Sequence, residues 1–143
     1  MKREKERSRT FQGMVEAGRG LGGPLMSAPN VLERLQQLVG YLIVPGTLNL
    51  RLTRPLDGPL ANHLTFAELG VEYNFAEVGL EFNEAPGFYF GQVVIAGRYD
   101  GSLIRLTDVG RPPTSVELVS DYHLRSTLGL QDGDTIEFTL VED

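Results

Sequence analysis

Pro45-Gly46-Thr47-Leu48-Asn49-Leu50 carries two neutral oxygen donors, the Thr47 hydroxyl and the Asn49 amide carbonyl, two positions apart. On an extended segment such residues share one face, about 7 Å apart at a rise of about 3.4 Å per residue. Leu48, Leu50 and Leu52 take the opposite face. Both polar side chains can then lean toward one hard cation, because Mg²⁺ keeps several waters and draws its other ligands from few protein groups and substrate phosphates. The same alternation also describes a half-buried strand whose polar side shows Thr47, Asn49, Arg51 and Thr53 to solvent.

Three further groups have chemistry to offer. Gly18-Arg19-Gly20-Leu21-Gly22-Gly23-Pro24 is the most permissive backbone in the chain. Successive N–H groups of such a loop can form an anion nest with Arg19 adding charge, although a glycine-rich turn has the same composition. It is not a dinucleotide fingerprint, since Pro24 and a polar link precede the next helix and no βαβ unit surrounds it. Glu117 lies between Val116 and Leu118 and points away from their face, by default to solvent. On a pocket wall it would accept a hydrogen bond from a substrate hydroxyl or take its proton. Arg125 is either a surface charge or, on a short helix, a bidentate phosphate ligand. His63 and His123 read as surface residues.

Composition narrows the chemistry. The 143 residues contain no cysteine, so disulfides, thiolate sites and cysteine nucleophiles are absent, and the two histidines leave little material for a zinc site, so any metal is expected to be oxygen-bound. Both lysines, Lys2 and Lys5, lie in the first five residues. That excludes a P-loop, a protein-kinase fold and a Schiff-base enzyme from the body of the chain. Phosphate would have to be met by backbone N–H groups, arginines and a metal ion. The net charge is −6 although the first ten residues are basic, so the body is distinctly acidic and unsuited to nucleic acid. No apolar run is long enough to span a bilayer, and the first residues lack a signal-peptide pattern. Residues 1–10 are expected to be a charged, disordered leader, and residues 11–143 one domain.

The elements that must position these groups follow from periodicity. A strand is expected over 10–17, ahead of the glycine loop. A helix is expected over 31–39, with Asn30 and Glu33 as a capping box, Leu32, Leu35 and Leu38 at helical spacing, and Gly40 as its stop. Residues 64–82, rich in Phe and Tyr, suggest a strand or hairpin. Strands follow over 88–95 and 103–106, with a turn at Tyr99-Asp100-Gly101, then over 116–119 and 135–141. Between the last two, Asp121 is the expected cap of a short helix containing His123, Leu124, Arg125 and Leu128. Many short strands with two helices predict a mainly β, small barrel with helical inserts.

The order of these motifs resembles the archaeal-type CTP-dependent riboflavin kinases: Gly18-x-Gly20-x-Gly22, Gly-Thr-Leu-Asn-Leu at 46–50, Glu117 ahead of Leu124-Arg125, and Leu130-x-Asp132-Gly133-Asp134. The likeness runs from about residue 13 to 138. It implies a six-stranded cradle-loop β-barrel that transfers the terminal phosphoryl group of CTP to the riboflavin 5′-hydroxyl, giving FMN and CDP. It further implies Mg²⁺ on Thr47 and Asn49, and nucleotide contacts at Gly18, Arg19, Gly20, Leu21, Gly22, Gly23, Tyr122, His123, Leu124 and Arg125. Glu117 falls at a flavin-contacting, catalytic position. The segment before Glu117 is shorter than in typical members and lacks their Thr-x-Tyr-like element, so Thr107 or Thr114 would stand in at the flavin. A monomeric cytoplasmic enzyme acting on small molecules, without nucleic acid or membrane, is the expectation; a silent flavin- or nucleotide-binding module is the alternative.

Overall fold

The computed structural model describes residues 7–16, 29–43, 48–56 and 62–142. In chain order these form β1 (Arg7–Val15), α1 (Pro29–Val39), β2 (Leu48–Leu52), β3 (Asn62–Thr65), a 3₁₀ turn (Phe75–Val78), β4 (Gly87–Ile95), β5 (Tyr99–Leu106), β6 (Ser115–Val119), α2 (Leu124–Leu128) and β7 (Thr135–Glu142). All strand pairs are antiparallel. The ring β4-β5-β6-β2-β1-β7 closes on itself through a β4–β7 pairing, which makes the expected six-stranded barrel and removes its open edges. β3 takes the first half of the remaining edge of β4, opposite Gly87 to Phe90, and β7 takes the second, opposite Gln92 to Ile95.

Alternation decides what fills the barrel. Leu48, Leu50 and Leu52 of β2 point inward with Val116 and Leu118 of β6, Leu103 of β5 and Phe11 and Phe138 of β1 and β7, all nearly solvent-free. Each such side chain contributes on the order of 1.5–3 kcal/mol by leaving water. A second cluster covers the outside of β4, β5 and β6: Val31 and Leu35 of α1, with Ile43 and Phe66, pack on Phe88, Ile104, Leu106 and Val119. Pro29 opens α1 with a φ already set for a helix, and Gly40 closes it at φ +88°, donating to the Gln36 carbonyl at 2.9 Å.

Five expectations about elements need correction. α1 begins at Pro29, so Asn30 lies within the helix and is not its N-cap. β1 begins at Arg7, earlier than expected, and pairs with β7 from Arg7 to Met14. Residues 66–82 are not a hairpin: after β3 the rings of Phe66, Tyr73 and Phe82 gather around Phe75 in tilted or edge-on contacts, with centroids 5.0–5.4 Å from it. Gly70 and Gly79 at positive φ break any strand there. The β4–β5 turn is at residues 96–98, where Ala96 (φ 54°) and Gly97 (φ 69°) take left-handed conformations; Tyr99, Asp100 and Gly101 belong to β5. Finally, His123 rather than Asp121 caps α2, its Nδ1 accepting from the Ser126 N–H at 3.3 Å.

Candidate active site

The ladder register brings one end of every site-bearing segment to the same end of the barrel. β1 finishes where β2 starts, since Val15 pairs with Leu50 and the Glu16 N–H donates to the Asn49 carbonyl at 3.1 Å. β6 finishes there too, because Leu118 lies opposite Leu48, and the chain then runs into residues 120–125. The turn before β7 is fastened to the end of β1 by two bonds of 2.7 Å, Val15 N–H to the Asp134 carbonyl and Gly133 N–H to the Val15 carbonyl. The glycine loop therefore leaves from this end. Gly18, Arg19, Gly20, Leu21, Gly22 and Gly23, and Thr47, lie outside the described residues.

Asn49 stands on the outer face of β2 directly opposite Glu117 of β6, which in turn faces Ile104 of β5. Directly opposed residues in an antiparallel pair have Cβ atoms about 5 Å apart. Asn49 is half-buried, and Glu117 is 1% exposed. The solvent-facing default for Glu117 is thus wrong: its face points outward from the barrel, but the second apolar cluster covers that face. The result is an amide and a shielded carboxylate side by side, an all-oxygen donor set suited to a hard cation or a hydroxyl. A hard divalent cation is chemically compatible with the Asn49 amide carbonyl and the Glu117 carboxylate, which stand opposite each other on the β2–β6 ladder.

The second expected nucleotide segment divides its labour. Tyr122 is 45% exposed and packs edge-on against Tyr99, ring centroids 4.8 Å apart. His123 is occupied as the helix cap, and the Leu124 side chain is buried in the barrel core, so it anchors α2 and offers a ligand only its backbone. Arg125 is ion-paired with Asp132 of the turn that holds β1. Thr107 is not brought to Glu117. It lies three residues past Ile104, the partner of Glu117, with its hydroxyl donating to the Gly87 carbonyl at 3.1 Å. The Thr114 carbonyl accepts from Leu52 N–H at 2.7 Å, at the end of β2 away from the glycine loop.

Sequence reading missed Tyr41. Its hydroxyl is 2.9 Å from Ser102 Oγ, and the neighbouring Ile43 N–H donates to Gln36 Oε1 at 2.8 Å, so the link from α1 toward Thr47 is fastened to β5 and to the helix. Burial pushes the Tyr41 phenol above its ordinary value; the Ser102 bond pulls the other way, and Asp121 and Asp100 add to the rise. An isolated Tyr in a linker carries no sequence signal for such a contact.

Residues 15–140 match the sequence profile of the CTP-dependent riboflavin kinase domain, described as Domain of unknown function DUF120. The chain belongs to this family. It is 31% identical over 137 residues to the riboflavin kinase of Aeropyrum pernix, covering 92% of this chain and 96% of that protein. It is 31% identical over 130 residues to the riboflavin kinase of Methanocella arvoryzae, and 32% over 145 residues to that of Methanospirillum hungatei. These matches cover 91% and 94% of this chain but 56% and 60% of the relatives, so the chain spans less than two thirds of the length of several curated relatives. Within the family match lie β2 with Asn49, β6 with Glu117, and the segment through Arg125 to Asp134. Among the described residues no helix is long and apolar enough to cross a membrane.

Proposed function

We propose that this protein is a riboflavin kinase that uses CTP, transferring its terminal phosphoryl group to the riboflavin 5′-hydroxyl to give FMN, CDP and a proton, as a monomer in the cytoplasm. The observation that carries the proposal is the facing pair Asn49 and Glu117 at the barrel end from which the glycine loop leaves. Asn49 and Thr47 would hold Mg²⁺, which when bound supplies charge neutralisation to the triphosphate. The loop at 18–23 would cradle the phosphates through backbone N–H groups, and Tyr122, His123, Leu124 and Arg125 would border the nucleotide. Glu117, shielded from water, would accept the hydrogen bond of the 5′-hydroxyl and take its proton as the new P–O bond forms and the bond to CDP breaks.

Positioning and charge neutralisation carry most of phosphoryl transfer, so a lysine-free site is adequate. The test is incubation of the protein with riboflavin, Mg²⁺ and either CTP or ATP, followed by chromatographic separation of FMN from riboflavin. FMN with CTP is the expected result, and FMN with ATP alone would overturn the nucleotide assignment. Riboflavin and nucleotide binding without FMN would make the protein a binding module instead.

A further inference from the structure

One ion pair joins the two halves of the proposed nucleotide site. Arg51 follows Asn49 by two positions on β2, on the same outer face and about 7 Å along it. Its side chain is 65% exposed, and its Nε donates to Glu16 Oε2 at 3.1 Å. Glu16 is the last described residue before the glycine loop, and its own N–H is bonded to the Asn49 carbonyl. A guanidinium on the strand that carries Asn49 is thus held on a carboxylate at the end of β1, next to the glycine-rich residues. A nucleoside triphosphate needs cations besides the metal, and the folded body has no lysine. Arginine presents a planar fork that matches phosphate oxygens bidentately, whereas an exposed pair with one carboxylate contributes little.

We propose, resting on the kinase reading above, that Arg51 is a phosphate-binding residue of the nucleotide site and that Glu16 holds it until the nucleotide displaces the carboxylate. The exchange moves no covalent bond: one guanidinium leaves Glu16 for a phosphate oxygen. It also frees Glu16 at the base of the loop, so nucleotide arrival is felt by both segments. The two partners of the pair then have opposite effects on binding, which a purely structural ion pair would not produce.

Calorimetric titration of CDP with Mg²⁺ into the wild type, Arg51→Gln and Glu16→Gln tests this. Arg51→Gln is expected to weaken nucleotide binding about tenfold, the loss of one charge-assisted hydrogen bond. Glu16→Gln is expected to tighten it about twofold, because the competing carboxylate is gone. Melting temperatures measured alongside establish that each variant is folded, as their exposure leads one to expect. Equal weakening in both variants, or wild-type affinity in Arg51→Gln, overturns the assignment while FMN formation by the wild type leaves the kinase reading standing. A wild-type protein that binds no cytidine nucleotide overturns both.

Discussion

Replacing Asn49 by Asp adds one charge and almost no volume, and the register places that charge opposite Glu117. At about 5 Å and an effective dielectric of about 20, two carboxylates repel by about 3 kcal/mol. For a domain of this size that is a fall in Tm of about 10 °C. The deficit should shrink as the pH falls and the two facing carboxylates come to share one proton. Millimolar Mg²⁺ should restore most of the loss without any nucleotide, since two facing carboxylates bind a divalent cation more tightly than one carboxylate beside an amide. Asn49→Ala is the control: it removes a donor without adding charge, and it should melt close to the wild type while abolishing FMN formation. The assay is thermal unfolding by circular dichroism with and without MgCl₂. An Asp variant as stable as the wild type would refute the facing of the two side chains, and an unstable variant that Mg²⁺ does not rescue would refute their sharing a cation.

Other perturbations probe the frame around the site. Gly101→Ala places a Cβ 2.6 Å from the Val119 carbonyl oxygen and 2.7 Å from Ile95 Cδ1, so it should cost about 1–3 kcal/mol and loosen β5 from β6. Unchanged amide exchange along those strands would contradict this. Asp108 and Arg111 form an ion pair with side chains only 10% and 13% exposed, beside Arg105, whose charged form is disfavoured first by burial and then by Arg111. Asp108→Asn should therefore cost about 3–5 kcal/mol in urea unfolding, with part regained on adding Arg105→Gln; a neutral Asp108→Asn would refute the pairing. The Thr65 N–H and then its hydroxyl hold the Glu68 carboxyl below its ordinary 4.5. A lowered folded value makes that contribution complete above about pH 4.5 and lost as pH falls through it. Glu68→Gln should accordingly flatten the acid limb of Tm against pH, and two identical acid limbs would show that the turn does not depend on this carboxylate.

Alternation alone was enough to assign Leu48, Leu50 and Leu52 to the barrel interior and to turn Asn49 and Glu117 the other way, because side-chain direction in a strand is a local property. What covers the outward face is not local. Glu117 is shielded because α1 and the aromatic segment at 66–82, distant in sequence, pack over β4–β6. The pairing of Asn49 with Glu117 depends likewise on register, which the neighbouring strands set together. The misplaced β4–β5 turn has a different origin. Asp100-Gly101 has the composition of a hairpin turn, yet Gly101 is a glycine because the Val119 carbonyl leaves no room for a Cβ, while the true turn uses an alanine at φ 54°. The same holds at α2, where the side chain that reaches the orphan N–H is His123 and Asp121 is left outside the helix.

Burial separates the ion pairs that hold the frame from those that serve a ligand. Among the described residues the Asp108–Arg111 pair is nearly closed to water and lies at the end of β5 away from the glycine loop. Opening it would leave a charge stranded, so it cannot exchange partners. Glu16–Arg51 and Arg125–Asp132 are the reverse: both are substantially exposed, and both involve a residue adjoining the loop-bearing end of the barrel. Losing such a pair costs about 0–1 kcal/mol, less than a guanidinium–phosphate contact returns. An acidic protein can thus keep its arginines oriented while empty and still release them to a polyphosphate. On this basis raising the ionic strength should weaken nucleotide binding far more than it lowers Tm. Parallel losses of affinity and stability with salt would mean that the exposed pairs are part of the frame after all.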